Sequence, residues 1–522
     1  MAKFVNSREA ISSSLLLWND VATQVAIEET YGLDIWPITG NFNDGPINYL
    51  LPPQSKGMLS EIHIIPKLKI QKDGEDLTFR HDNLSVVNNF GNSIWEQVDI
   101  QLDDRIDITQ SMKNAYAFQT FFNHALNSES NRVDYLYYNE NFKMDEGETK
   151  KLEEDSRTFW RWNDKVDNEI KDLMPANVID TMKDDKLREI KAKLSVSENL
   201  GNYYGTPEYL SSAMGYSSGE KIEELTDKVS RMLLPSKVNP AASERSRFLH
   251  HGESITLSTK LQNPLFNTSK CLPTKMKIKV SLTKNNDEFV ILSDGQNKYG
   301  IYIEECYLHA SYYRPRDPIL SLIEERLTKE PASYFISRPE IILKPISNAG
   351  RIIRVTDVFH NVLPPYAFFC LQRSKDLEGT YKTNPYTFIP FKNFQFYVNG
   401  VPYFANPLEV TSIKKRGVEH YQYMEFGEYM RQLYKTLGKD LRGNCLINSS
   451  NFQLNFMVGL SFGADKSSLA ERHLNLQEKA STYLEIDMGI NEGIPQDMVL
   501  IIYALYDRQI QIDSERQIKI IE

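Results

Sequence analysis

Cys306 and His309 stand three residues apart, close enough to raise the idea of a thiol nucleophile with an imidazole base. They fall in a β-like run, where residues three apart point to opposite faces, so they read as a packed thiol and an edge histidine. The adjacent pair His250-His251 is the one doublet among nine histidines. On a strand its rings diverge instead of converging on a metal, and a solvated strand edge is the simpler reading. Asp103-Asp104 follows a strand and could be imagined in metal or acid-base work. Adjacent residues of an extended chain point apart, however, and Asp-rich strand tips are ordinary turn chemistry. No G-x-x-x-x-G-K-[ST] run occurs, and no G-x-G-x-x-G opens a helix, so there is no loop to cradle a nucleotide. Lys414-Lys415-Arg416 is the only tight basic cluster, and it reads as a solvated loop before it reads as a nucleic-acid contact. Trp160 and Trp162 flank Arg161 in a highly charged stretch, where they imply either a local mini-core or a partner contact. The survey names no catalytic, cofactor-binding or metal-ligating residue, and the chain reads as a protein that is not an enzyme and needs no cofactor.

The elements around these residues are mostly strands. Ile62, Ile64, Leu68 and Ile70 alternate with polar neighbours, as do Val98, Ile100 and Leu102, then Met276, Ile278, Val280 and Leu282. Phe394, Phe396 and Val398 repeat the pattern, and so do Phe452, Leu454 and Phe456. Each run predicts a strand with one wet and one dry face, which is the mark of antiparallel sheets. Met498 to Tyr506 is nearly all apolar and predicts a central strand buried on both faces. Helical spacing is rarer. Ala115, Phe118, Phe122, Ala125 and Leu126 predict one short amphipathic helix, and Phe426, Tyr429, Met430, Leu433, Tyr434 and Leu437 another. A third should start with Asp317 as N-cap and Pro318 at the first helical position, and stop before Pro331.

The chain has 522 residues, of which 41% are hydrophobic and 25% charged, enough to bury more than one core. Sixty basic against seventy acidic side chains leave a formal charge of -10, which disfavours bulk nucleic-acid binding. Four scattered cysteines without a C-x-x-C pair argue against a zinc site and a disulfide framework. No apolar run is long enough for a membrane-spanning helix and Met1-Ala2-Lys3-Phe4 opens no signal peptide, so a cytosolic or nuclear site of synthesis is expected.

Between 141 and 200, 27 of 60 residues are charged and the strand alternation stops. The stretch from about 140 to 245 therefore reads as one long inserted loop region with some helix. A weak repeat of pattern links the halves. Val98 to Asp104 precedes the helix of Phe118 and Phe122, and Phe394 to Gly400 precedes the helix of Phe426 and Met430. The two halves close near Tyr313 and Asp513, which suggests two similar β-domains joined by the helix at 317–330.

Gly45-Pro46-Ile47-Asn48-Tyr49-Leu50 and Val87 through Trp95 to Ile100 resemble the N-terminal half of capsid-like proteins of Polinton/Maverick elements and related animal double-stranded DNA viruses. Tyr381-Lys382-Thr383-Asn384-Pro385-Tyr386, Tyr397-Val398-Asn399-Gly400, and Ile501 to Ala504 through Ile512-Asp513 continue the resemblance in order. What it implies is a mainly β double jelly-roll major capsid protein, two antiparallel eight-stranded sandwiches side by side. Three copies would form a pseudo-hexagonal capsomer of an icosahedral shell enclosing double-stranded DNA.

The expected layout is an N-terminal arm at 1–39 with an apolar patch at Leu15, Leu16, Leu17 and Trp18. A first jelly roll at 40–316 follows, with the insertion at 140–245, then the linker helix at 317–330 and a second jelly roll with C-terminal tail at 331–522. A capping segment for the first domain is the plainer reading of the arm. The implied partners are two further copies, neighbouring capsomers, penton and minor capsid proteins, and a host receptor reached through long loops, with no sequence-specific nucleic acid. The implied location is the virion, assembled in host cytoplasm or nucleus. Two other readings stay open at this point: a penton, minor capsid or receptor- or glycan-binding β-sandwich, and a β-rich enzyme such as a glycoside hydrolase whose two carboxylates come from distant strands.

Overall fold

The computed structural model describes residues 24–38, 41–76, 84–103, 106–107, 112–145, 160–161, 234–235, 240–246, 253–293, 298–347, 350–379, 384–412, 424–438, 445–469, 473–475, 478–489 and 497–521. Leu15 to Trp18, Asp104, Trp162, His250-His251, Lys414-Lys415-Arg416 and most of the expected insertion lie outside the described residues.

Sixteen strands carry the architecture. The first eight are β1 (Ile27–Ile35), β2 (Ile47–Leu51), β3 (Met58–Lys72), β4 (Trp95–Leu102), β5 (Ile106–Asp107), β6 (Ile255–Thr256, resumed at Thr259–Lys260), β7 (Ile278–Lys284) and β8 (Tyr299–Pro315). They form two antiparallel sheets, β1-β8-β3-β6 and β2-β7-β4-β5. The second eight are β9 (Ala332–Ile346), β10 (Ile352–Thr356), β11 (Tyr366–Arg373), β12 (Asn393–Val398), β13 (Val401–Pro402), β14 (Val458–Ser461), β15 (Thr482–Asp487) and β16 (Met498–Ile512). Their sheets run β9-β16-β11-β14 and β10-β15-β12-β13. In both halves the first strand pairs with the eighth, the second with the seventh, the third with the sixth and the fourth with the fifth. A long hairpin rolled so that alternate pairs fall into opposite sheets has this pairing, and it is a jelly roll. The chain contains two.

The periodicities explain the registers. In β3, Ile62, Ile64, Leu68 and Ile70 are buried, while their alternate neighbours are half-exposed. β16 is buried throughout Met498 to Tyr506 and pairs with β9 on one edge and β11 on the other, as the apolar run predicts. The fourth strand of each roll turns on left-handed residues, Asp103 in the first and Asn399-Gly400 in the second, so the pattern repeat links equivalent strands.

Six helices matter to the argument: α1 (Phe90–Ser93), α2 (Ala115–Asn127), α3 (Val133–Glu140), α4 (Pro240–Ser246), α5 (Asp317–Lys329) and α6 (Gly427–Leu437). α2 and α6 occupy the same connection, between the fifth and sixth strands of their rolls. α6 is amphipathic as expected, with Tyr429, Leu433 and Leu437 buried. α2 is not. Ten of its thirteen residues are buried, among them Phe121, which lies off the expected apolar stripe. The reason is the second roll: Phe121 stacks on Tyr386 at 4.5 Å, and Phe122 stacks on Tyr503 at 4.9 Å and on Phe388 at 5.9 Å. The helix is a plug between the halves.

Other expectations need correcting. Ile27 to Ile35, placed in the arm 1–39, is a sheet strand whose whole length pairs with β8. Phe452, Leu454 and Phe456 are not a strand. Asn448 and Asn451 close successive turns through Phe452 N–H to Asn448 O (2.9 Å), Asn455 N–H to Asn451 O (3.1 Å) and Asn448 N–H to Asn451 Oδ1 (2.9 Å). Local Asn bonding of this kind competes with a sheet ladder, and Phe452 and Phe456 pack beside α6 instead. The α5 N-cap is Arg316 rather than Asp317, whose carboxylate is engaged by Lys56 Nζ at 2.8 Å.

α5 links the rolls on the outside, with only Leu327 buried. Its Glu324 is tied across the chain: Arg516 Nη2 donates to Glu324 Oε1 at 2.6 Å and Arg516 Nε to Thr274 O at 2.7 Å, while Thr274 Oγ1 donates to the same carboxylate at 2.7 Å. Burial pushes the Glu324 carboxyl up, but the Thr274 hydroxyl and the Arg516 guanidinium outweigh it and hold the carboxyl below its ordinary 4.5.

Two predictions follow from this packing. Phe122→Ala removes a ring that both rolls contact and should cost about 3–5 kcal/mol, read as a lowered urea midpoint. A carboxyl whose folded value is depressed stabilises the fold fully above its unfolded value and loses that contribution as pH falls through the folded one. The stability gap between wild type and Glu324→Gln should therefore be open at neutral pH and close as pH falls below the carboxyl's ordinary 4.5 and through its lowered folded value; a gap that does not change with pH contradicts the linker tie.

Candidate functional site

Cys306 is buried in β8 and its thiol is pushed up to about 12 by burial, so it is not a nucleophile at neutral pH. His309 lies on the opposite face, with Nδ1 2.6 Å from Asp34 Oδ1 on β1. The two are not brought together. Asp103 holds a left-handed turn, its N–H donating to Lys277 O at 2.8 Å. Trp160 and Arg161 pair by backbone with Leu234 and Pro235. Among the described residues, no group of three or more His, Cys, Asp or Glu side chains is placed to hold a metal.

A buried ion pair forms a clasp that local sequence pattern does not reveal. Arg245 in α4 is fully buried, and its Nη2 donates to Asp145 Oδ1 at 2.7 Å. Its Nε reaches Val86 O at 2.8 Å and its Nη1 reaches Lys143 O at 2.6 Å, so the guanidinium is satisfied on every side. The second carboxylate oxygen of Asp145 accepts from Asn384 Nδ2 of the second roll at 2.6 Å. One buried ion pair therefore ties together the two ends of the expected insertion and the second roll. This also corrects the limits of that insertion, because Phe142, Met144, Ala241 and Ala242 are core residues.

Around the clasp the segment flagged at Val87 to Ile100 is packed without slack. Every residue of α1 is buried, and a Cβ on Gly91 would come within 2.7 Å of Glu140 O, so only glycine fits. Asn92 Nδ2 donates to Glu140 Oε2 at 2.8 Å, and His124 Nε2 of α2 lies 2.8 Å from the same oxygen. Ser93 and Tyr386 share a hydroxyl hydrogen bond of 2.5 Å between the rolls. Leu446 N–H donates to Ala125 O at 3.0 Å, and Tyr334 OH donates to Cys271 O at 2.7 Å. Sequence distance hid all of this. Asp145 and Asn384 are 239 residues apart, and the only signals were the Val87 to Ile100 segment and the Asn384-Pro385-Tyr386 string, both as part of the resemblance.

Outward-facing surfaces are where such a body could act. Trp36, Ile38, Tyr138, Phe335, Ile352 and Val401 are each more than half exposed. Trp36 leans on Tyr307 at 5.2 Å, and Phe335 and Ile352 lie on the edge strands β9 and β10. These large apolar groups are spread over both rolls.

No family model and no curated protein matches this sequence. Solved structures do. A structure of the Sputnik virophage at 3.5 Å shares 10% identity and a TM-score of 0.52, over 100% of this chain and 94% of that one. The Faustovirus major capsid protein shares 7% identity and a TM-score of 0.52, over 95% of this chain and 92% of that one. The PBCV-1 virus capsid shares 8% identity and a TM-score of 0.51, over 97% of this chain and 99% of that one. At such identities the likeness is one of fold, and it agrees with the strand order: this chain is a double jelly roll.

Proposed function

We propose that this protein is a major capsid protein, three copies of which form a pseudo-hexagonal capsomer of an icosahedral shell around double-stranded DNA. The observation that carries the reading is the pairing of two jelly rolls, locked by the α2 plug and the Asp145 clasp, across the described residues. A rigid body with two similar lobes gives six lobes when three copies meet, and six lobes tile a surface. The named likeness to the Faustovirus major capsid protein spans nearly all of both chains. A penton reading has less support, since one roll suffices to make a five-fold vertex.

Under this reading the partners are two identical subunits, neighbouring capsomers, and penton and minor capsid proteins. The location is the virion after assembly in host cytoplasm or nucleus. A host receptor would be met through the loops at the roll ends, which can lengthen without disturbing the sheets. Binding of nucleic acid by sequence is not part of the reading, and neither is catalysis. The N-terminal segment outside the described residues is assigned to contacts between capsomers, and the insertion between Asp145 and Arg245 to the outer surface.

Light scattering on purified protein should give three times 60.3 kDa, about 181 kDa; a monomer or a pentamer contradicts the reading. Removing residues 1–23, which leaves β1 intact, should preserve trimers and abolish shells. Loss of folding in that variant would make the segment a cap for the first roll instead.

A further inference from the structure

At one end of the second roll, an open cleft of about 190 Å³ lies between the segment after β13, the last turns of α6, and the loop after β14. Lys435 and Lys466 both line it, and among the described residues neither ammonium pairs with a carboxylate. In a chain of net charge -10 this is a local reversal of sign. Lys466 Nζ instead stands 4.8 Å over the ring of Tyr403. Its backbone is left-handed at φ 50°, a conformation costly for a side-chain-bearing residue, and is held by Lys466 N–H donating to Gly463 O at 2.8 Å. The nearby Asp465 carboxylate is turned to Ser467 N–H at 2.9 Å and to His473 at 3.6 Å.

The neutral groups of the cleft are half used. Tyr403 OH donates to Ser461 O at 2.8 Å, Ser461 Oγ to Ser467 O at 2.6 Å, Thr436 Oγ1 to Gly459 O at 2.8 Å, and Gln432 Nε2 to Gly459 O at 3.1 Å. Gln432 Nε2 also donates to Thr436 Oγ1 at 3.4 Å, and Thr436 and Ser461 are buried, so what remains to a ligand is the lone pairs of the Tyr403 hydroxyl and the Gln432 side-chain carbonyl. A ligand for this cleft must bring an anion for the ammonium groups and hydroxyl donors for the oxygens. A bare anion supplies only the first and a neutral sugar only the second. We propose that this cleft binds an acidic saccharide, with Lys435 and Lys466 taking the carboxylate or sulfate and the oxygens of Tyr403 and Gln432 accepting from its hydroxyls.

The site belongs to a single chain and goes beyond the assembly reading, so its test does not depend on oligomeric state. The full-length protein is titrated by calorimetry with 3′-sialyllactose, a heparin-derived disaccharide, lactose and sodium sulfate. At least one of the two acidic saccharides should bind at least roughly tenfold more tightly than lactose and sulfate, and Lys435→Gln and Lys466→Gln should each weaken it by about tenfold. Lys466→Arg should retain binding, and an unchanged unfolding midpoint in each variant separates lost binding from lost folding. The proposal is overturned if neither acidic saccharide binds, if lactose or sulfate binds equally well, or if both glutamine variants bind like the wild type.

Discussion

The aromatic rings of α2 cannot be satisfied by the roll they belong to. A helix on the surface of a sandwich buries one stripe and wets the other, yet α2 hides Phe118, Phe121 and Phe122 around most of its circumference. Each ring removes on the order of 150–250 Å² from water, an area that must stay exposed unless another body covers it. Tyr386, Phe388 and Tyr503 of the second roll provide the cover. The first roll is thus incomplete alone, and the relative placement of the two lobes is set by ring stacking in a dry interface and not by a flexible tether.

The polar groups at the same junction convert contact into orientation. A buried guanidinium tolerates few geometries, and Arg245 meets its demands with two carbonyls and Asp145, whose other oxygen is fixed by Asn384. Removing Arg245 or Asp145 strands the other's charge, and losing Asn384 leaves an Asp145 oxygen without its donor, so the lobes resist sliding as well as separation. A chain can then vary at its loop ends while the two lobes keep their relative placement.

Much of the fold was legible because strands advertise themselves through alternation. Ile62 to Ile70, Val98 to Leu102, Phe394 to Val398 and the unbroken run from Met498 fall in the strands their patterns indicate, and the pattern repeat joined equivalent strands of the two rolls. What escaped has a common cause. The burial of Phe121, the clasp at Asp145 and the pairing of Ile27–Ile35 with β8 rest on partners hundreds of residues away, and local periodicity carries no trace of them. The turn at Phe452 to Phe456 was misread for the opposite reason. Asn448 and Asn451 capture the backbone locally, and apolar alternation cannot register that. The surface cleft of Lys435 and Lys466 gave no pattern in sequence at all, because its walls come from three separate segments.

Electron microscopy of the purified protein tests the central claim most directly. If three copies of a body with two lobes fixed side by side assemble as proposed, particles should show six columns of density in a closed, near-hexagonal outline, sharp to the same degree in every column. Particles with one lobe per chain, or with paired lobes blurred by independent motion, would contradict the rigid double roll on which every functional statement stands.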